Sequence, residues 1–553
     1  MKSYNVISFD IFDTLVVRNC GTFNNLWKII EKEADNYFKY KTIFYENRKN
    51  AELECYKDGN MTPSIEEIYQ KTKYSQNEKN YLLYLEQKIE LDMCVANFEI
   101  KKVFDKYKTE NKKIYAISDM YYSSDFLLKL LKKCGYEVDG IIVSNEEGYS
   151  KKGGKLFEVL IKKYSINKND LLHYGDSQVS DIDGSHIVQI ASQKVVPINH
   201  MVYLQKKHSK TVIDELVYGY TKNNISFLEA RLAQIGFETL GPVILGYCQW
   251  LHKRKKELGI KNILFCSRDL KQTYQWYIKL YPKEKDECIY FYVSLKSLSA
   301  PYRVAKGDTS NENDNMQYDL LRKYITQIVD GYDFILADSG FGGHTQLMLS
   351  RVLGDEYRIH GLYMRITQKF NKKARINNSA EAYLFSDNPS PQARISGGFF
   401  ESVIQASHGR TVGYMEDSQG LVHPIFAEQK ECVKTVDEIQ SGIDYFINGW
   451  IQRGYHKYKI NPSFIENSFL RLTFYPEIED VKLLSTLQGG NNVAVSMIEK
   501  NHDENIFHPV TLMKGLQKNY WKGGYLSEVF RSYKWISHIY ICLDSLYLMI
   551  RGF

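Results

Sequence analysis

Three carboxylates, one hydroxyl and one ammonium stand where runs of strand-forming residues end in the first 200 positions. Asp10 follows Val6–Phe9, Ser118 follows Ile114–Ile117, and Asp176 and Asp181 follow Leu171–Tyr174; Lys151 lies in a loop ahead of a helical stretch. Carboxylates in a cluster suit a hard divalent cation, and a hydroxyl and an ammonium suit phosphoryl oxygens. Singly, each residue has a plainer role, since Asp at a strand end is often an N-cap and Ser-Asp a turn. All five at one sheet edge, in this order, are not accidental.

A second set follows later strands. Arg268-Asp269 comes after Lys261–Cys266, where it could pair a pyrophosphate with a metal or ribose contact, or be an ordinary helix-start ion pair. Asp338-Ser339-Gly340-Phe341-Gly342-Gly343-His344-Thr345 comes after Asp333–Ala337 and precedes a helix. An acidic residue, a glycine-rich turn and a helix N-terminus make a cradle for an anion, because backbone N–H groups reach phosphate oxygens there. It is neither a Walker loop nor a dinucleotide fingerprint. Glu401 and Ser407-His408-Gly409-Arg410 add polar groups, although a lone His is more often structural.

The elements that must position these residues alternate. After the first strand, residues 24 to 95 have helical periodicity, an all-helical insertion; then come strands at Ile114–Ile117, Gly140–Val143 and Leu171–Tyr174, with helices at Ser124–Lys133 and Lys155–Tyr164 between them. This predicts a parallel, doubly wound α/β sheet whose chemistry sits at the carboxyl ends of the strands. The second half opens on the helical Ser226–Leu258, which Gly241-Pro242 should break or kink. Strands at Lys261–Cys266, Ile289–Ser294 and Asp333–Ala337 then predict a second Rossmann-like sheet, and the portion beyond about residue 435 reads as mainly helical. The expected domains are 1–205, with the helical insertion at about 19–96, and 210–553.

Length and composition agree with this layout. At 553 residues the chain is too long for one core. A net charge of +6 spread over 72 basic and 66 acidic residues is too dilute for nucleic acid but tolerates anionic substrates. Nine cysteines without a CxxC pair suggest neither a zinc site nor a disulfide framework, and the N-terminus runs straight into a strand, so the cytoplasm is the expected compartment. The apolar Trp535–Ile550, interrupted by His538 and Asp544, is too short to span a bilayer; a buried terminal helix is expected ahead of an interfacial membrane anchor.

The first half resembles the haloacid dehalogenase superfamily. Phe9-Asp10-Ile11-Phe12-Asp13-Thr14-Leu15 matches its first motif, Ile117-Ser118-Asp119 the second, Lys151 in Lys151-Lys152-Gly153-Gly154-Lys155 the third, and Gly175-Asp176-Ser177 with Asp181 the fourth. The resemblance implies that Asp10 is a covalent nucleophile, that Asp10, Phe12, Asp176 and Asp181 hold Mg2+, that Ser118 and Lys151 clamp the phosphoryl group, and that the insertion is a cap selecting the substrate. One residue departs from the pattern. Most phosphatases of the superfamily carry a second Asp, a general acid and base, two positions after the nucleophile, and here that residue is Phe12. Asp13 or a cap residue could replace it, catalysis could have been lost, or the protein could be a dehalogenase, against which the intact pair Asp176 and Asp181 argues.

The whole chain resembles the dual-domain ribofuranosyltransferases of bacterial surface-polysaccharide assembly, through the motifs above together with Gly241-Pro242, Phe265–Asp269 and Asp338–Gln346. The implied activity is transfer of 5-phosphoribose from phosphoribosyl diphosphate to a lipid-linked glycan, followed by removal of the 5-phosphate. The implied second site uses Asp338 as a catalytic residue, with Arg268, Asp269, Ser339, Gly340, Gly342, Gly343, His344, Thr345, Glu401, His408 and Arg410 binding substrate. A stand-alone sugar phosphatase carrying a scaffold domain, a nucleotide-sugar glycosyltransferase and a binding protein with both sites dead are the other readings.

Overall fold

In the computed structural model the described residues are 4–196, 203–340, 342–365, 379–385, 397–428, 434–485 and, beyond these, 487–489, 495–496, 498, 509–519, 521–530, 535, 539–540 and 542–543. The chain forms two compact units, Met1–Val202 with Ser209–Phe227, and Tyr203–His208 with Leu228–Phe553.

The first unit is built on β1 (Val6–Phe9), β4 (Lys113–Ser118), β5 (Gly140–Val143), β6 (Leu171–Gly175) and β7 (Ala191–Lys194), all parallel in the order β5-β4-β1-β6-β7. The order reverses around β1, so the crevice at its carboxyl end, where Asp10 lies, is the place such a sheet offers a ligand. Two three-residue strands, β2 (Val16–Arg18) and β3 (Cys94–Ala96), pair antiparallel and bracket the insertion. Between them run α1 (Phe23–Phe38), α2 (Phe44–Lys57), α3 (Ile65–Lys71) and α4 (Gln76–Met93). Reciprocal capping boxes start two of them, Ser64 with Glu67 for α3 and Ser75 with Glu78 for α4, so each start satisfies its own first-turn donors.

The insertion is held from within by charge as well as by apolar packing. Arg48 and Glu86 are both fully buried and meet at 3.0 Å, and Glu86 also accepts the Tyr69 hydroxyl at 2.8 Å. Arg18 and Glu90 form a second buried pair at 2.6 Å. Their hydrogen bonds offset the desolvation that would otherwise make such pairs a liability.

The second unit repeats the doubly wound plan with β8 (Asn262–Cys266), β9 (Cys288–Phe291), β10 (Asp333–Asp338), β11 (Arg358–Tyr363) and β12 (Ser379–Ala382), all parallel in the order β12-β11-β10-β8-β9. The reversal falls between β8 and β10, the strands that carry Asp269 and Asp338 at their ends. A hairpin of β13 (Thr411–Glu416) and β14 (Val422–Phe426) packs Tyr414 and Val422 into the core around Phe291, Leu321 and Leu336.

Gly241-Pro242 does not break the helix before β8. The chain stays helical from Arg231 to Leu258, passing through a π-helical turn at Gly236–Leu240, with Pro242 in the first turn of the α-helix that follows. A proline there gives up an N–H that the local register does not need. Beyond residue 433 the described residues are mainly helical, in Lys434–Gln452, Pro462–Phe474, Ile478–Leu484, Pro509–Lys518 and Lys522–Val529. Most of Trp535–Ile550 lies outside the described residues; Trp535, Ile539 and Leu543, which are described, are exposed by 64%, 46% and 50%, so at these positions the expected burial is not found. No helix among the described residues is long and apolar enough to cross a membrane.

Candidate functional sites

At the carboxyl edge of the first sheet, Asp10, Asp176 and Asp181 bring oxygens to within 4.8 Å of one another. Lys151 reaches in from the loop before the helix Lys155–Lys163, its ammonium 2.5 Å from Asp10 Oδ1 and 2.5 Å from Asp181 Oδ1. The loop itself is pinned by Asp119, whose carboxylate accepts the Lys151 backbone N–H at 2.9 Å. Gly175 lets Asp181 close in, since a Cβ there would lie 2.2 Å from the Asp181 carboxyl carbon.

Burial pushes the Asp10 carboxyl above its ordinary value; Lys151 opposes this, while Asp181 and Asp176 add to it. Asp181 is held low although burial works against its charge, because His173 and Lys151 both hydrogen-bond it. His173 is buried and pushed down, hence neutral. An ionised Asp181 can only accept, so His173 carries its proton on Nε2, 3.2 Å from Asp181, and takes the Ser8 hydroxyl on Nδ1 at 2.9 Å. Asp181 also accepts the Ser177 N–H at 2.9 Å, while Asp176 is half-buried with the Thr14 hydroxyl at 3.5 Å. Three carboxylates against one ammonium leave an excess of negative charge in a mostly buried crevice. That donor set fits a hard, oxygen-seeking dication such as Mg2+.

Ser118 is buried at the end of β4. Phe12 contributes no proton: its ring stacks on the Arg18 guanidinium at 4.1 Å, and Phe23 covers the other partner contact at 3.7 Å. Asp13 has φ of 58°, and desolvation raises its carboxyl against the pull of the Arg18 charge. Its charge in turn raises Asp176.

The second unit holds a cavity of about 490 Å³ at the switch between β8 and β10. Of the residues expected there, Arg268, Asp269, Asp338, Ser339, Gly340, Gly342, Gly343, His344, Thr345, Glu401 and Arg410 all line it. His408 does not; its ring is among Tyr290, Tyr292 and Phe426 and bonds the Tyr290 hydroxyl at 2.7 Å, an aromatic packing role. Ser339 donates to Asp269 at 2.8 Å, and the Gly340 N–H donates to Asp338 at 3.2 Å. Gly340 has φ of 79°, and a Cβ would lie 2.1 Å from the Arg365 carbonyl oxygen, so only glycine fits.

Burial, followed by the neighbouring Asp269, pushes Asp338 to about 7. Arg410 is pushed down by burial and by the positive charge of Arg268. Like charges crowded in pairs of both signs suit a ligand that is itself an anion and brings a cation. Lys296, Ser299 and Thr411 line the same cavity from a helix start and the hairpin. Nothing local in the sequence marks these three, because β13 and the helix Leu295–Ala305 deliver them through tertiary packing.

No protein-family model and no curated protein matches the chain. Solved structures do match. They include a HAD-hydrolase, YfnB of Bacillus subtilis, bound to magnesium, at 15% identity and TM-score 0.28, covering 36% of this chain and 92% of that one. A HAD phosphatase from Thermococcus onnurineus matches at 15% and 0.26, covering 37% and 90%, and a 2-haloacid dehalogenase from Pseudomonas syringae pv. Tomato at 12% and 0.28, covering 36% and 91%. Scores this low bear on no residue's role.

Proposed function

We propose that the first unit is a magnesium-dependent phosphoric monoester hydrolase and that the second transfers 5-phosphoribose from phosphoribosyl diphosphate to a glycan acceptor, the first unit then removing the 5-phosphate. The observation that carries the hydrolase reading is the meeting of Asp10, Asp176 and Asp181 with Lys151 between two of them.

Asp10 attacks phosphorus, and the bond to the sugar oxygen breaks as an aspartyl-phosphate forms. Ser118 donates to a phosphoryl oxygen, and Lys151 balances the charge that grows on the others. Asp10, Asp176 and Asp181 would hold Mg2+, with Phe12 completing the set that the resemblance implies; the ion supplies charge neutralisation. Asp13 takes the role absent at Phe12, protonating the departing oxygen and then activating the water that releases phosphate. In the second unit, Arg268, Arg410 and the residues Gly340, Gly342, Gly343, His344 and Thr345 take the phosphates, and Asp269 and Asp338 take the ribose hydroxyls or an accompanying cation. What supports this is the single cavity that gathers them.

The test is incubation with phosphoribosyl diphosphate, Mg2+ and a panel of glycan acceptors, comparing wild type with Asp10→Asn. The variant should accumulate a product heavier by one phosphate. Consumption of the donor by neither protein would defeat the scheme.

A further inference from the structure

The hydrolase reading leaves open which group is esterified to the phosphate. A cavity of about 320 Å³ lies in the first unit. Asp119, Ser150, Lys152 and Ser180 line it, which are the chain neighbours of Ser118, Lys151 and Asp181, and Asp119 is bonded to the Lys151 N–H, so this side of the cavity borders the loops that carry the site. The helical insertion contributes the rings of Phe23 and Trp27 and the carboxylate of Glu52, and the ring of Tyr121 lines the cavity from the loop after β4.

The charge of that wall is set from beneath. Arg48 is fully buried under Trp27 and Tyr121, with its guanidinium 5.0 Å and 4.6 Å from their ring centres. It divides its charge between Glu86, at 3.0 Å, and Glu52, at 3.0 Å. Glu86 is wholly buried and accepts the Tyr69 hydroxyl as well as Arg48. One cation between two carboxylates leaves the trio one negative charge in excess, and of the two carboxylates Glu52 is the one that lines the cavity, with the Tyr56 hydroxyl donating to it at 2.8 Å. Lys152 is the one cation among the lining residues, against the two carboxylates Glu52 and Asp119. The cavity has aromatic faces, hydroxyl partners and one carboxylate in excess.

We infer that Glu52 is a charge-selecting residue: it admits an uncharged, hydroxyl-rich ring as the group leaving from the phosphate at Asp10 and turns away one that bears a second phosphate. The inference rests on the hydrolase reading. Ring C–H faces suit Trp27 and Phe23, and ring hydroxyls can donate to Glu52, whereas a second anion meets Glu52 in a partly desolvated space. The reaction order follows. A sugar phosphate whose anomeric carbon still carries diphosphate is spared, and one already joined to a neutral glycan is taken, so this hydrolysis consumes the product of a glycosyl transfer.

The probes are methyl ribofuranoside 5-phosphate and ribose 1,5-bisphosphate, which share the reacting monoester and differ in the second charge. Their affinities are measured with the full-length Asp10→Asn protein in Mg2+, and their kcat/KM with the full-length enzyme that retains Asp10. The neutral probe should be preferred, and Glu52→Gln, which preserves an acceptor for Arg48 and Tyr56, should shrink the preference by on the order of tenfold. Lys152→Gln, at an exposed position, should widen it. Equal affinities for the two probes, binding of neither, or a preference that Glu52→Gln leaves unchanged overturns the inference. A binding preference that Glu52 controls, in a protein that hydrolyses neither probe, upholds the selection and defeats the hydrolase reading.

Discussion

Replacing Lys151 with methionine removes the cation that lies 2.5 Å from both Asp10 and Asp181, where the three side chains are no more than 9% exposed. Breaking a buried pair by deleting one partner costs about 3–5 kcal/mol. For a unit of this size that is roughly 6–20 °C in Tm. The loss should depend on pH, and its sign follows from Asp10. Its folded-state carboxyl is already above the ordinary 3.8, and Lys151 is what restrains it, so the variant raises it further. A carboxyl whose folded pKa is raised binds its proton more tightly folded than unfolded, and stability then falls as pH rises through the interval between the two values. Near pH 5 Asp10 is protonated in both proteins and the loss is smallest; as pH rises past the wild-type value of about 7, wild type gains the ion pair while the variant holds its proton, so the loss is larger at pH 8. Thermal unfolding of the full chain in EDTA at the two pH values reads this directly, and Mg2+ should recover part of the loss at pH 8. Hydrolysis should fall about 10²–10³-fold in kcat, as for other transition-state charge partners. An equal loss at both pH values, or none, would refute the placement of the ammonium as the counter-charge of the pair.

Glu86→Ala should be among the most damaging changes in the helical insertion, about 3–5 kcal/mol by denaturant unfolding, because it leaves the buried Arg48 only the partly exposed Glu52 and takes the acceptor from the buried Tyr69 hydroxyl. Gly340→Ala forces a left-handed residue and a Cβ against the Arg365 carbonyl oxygen; it should cost about 1–3 kcal/mol and abolish phosphoribosyl diphosphate binding in calorimetry. Asp338, at about 7, is protonated below neutrality and charged above it, so affinity for phosphoribosyl diphosphate with Mg2+ should rise between pH 6 and pH 8 and lose that slope in Asp338→Asn.

The buried strands of both sheets were legible because central parallel strands read as short apolar runs, Val6–Phe9 and Gly140–Val143 among them. The strands that were not are those in which tertiary placement overrides local pattern. β7, Ala-Ser-Gln-Lys, and β12, Ser-Ala-Glu-Ala, are edge strands with few β-forming residues. β11 has Gly361 at its middle, where a Cβ would lie 2.1 Å from Gln346 Oε1, so the packing of a neighbouring helix removed the side chain that would have announced a strand. The same division holds for the sites. Residues just past a strand end, such as Asp10 and Asp338, can be placed from sequence, because the sheet's topology says where that end points. Lys296 and Thr411, and the service of Arg48 to Glu52, depend on contacts between distant segments. Phe12 shows the limit from the other side: the sequence marks the missing proton carrier, and the structure supplies the reason the ring is kept, as a stacking partner of buried Arg18.

The most direct test of the central claim is to quench a reaction of the protein with Mg2+ and a sugar phosphate in acid and to map covalent phosphate by mass spectrometry. The account predicts one phosphoryl group on the peptide containing Asp10, absent from Asp10→Asn; phosphate release without label at Asp10, or release that persists in that variant, would contradict it.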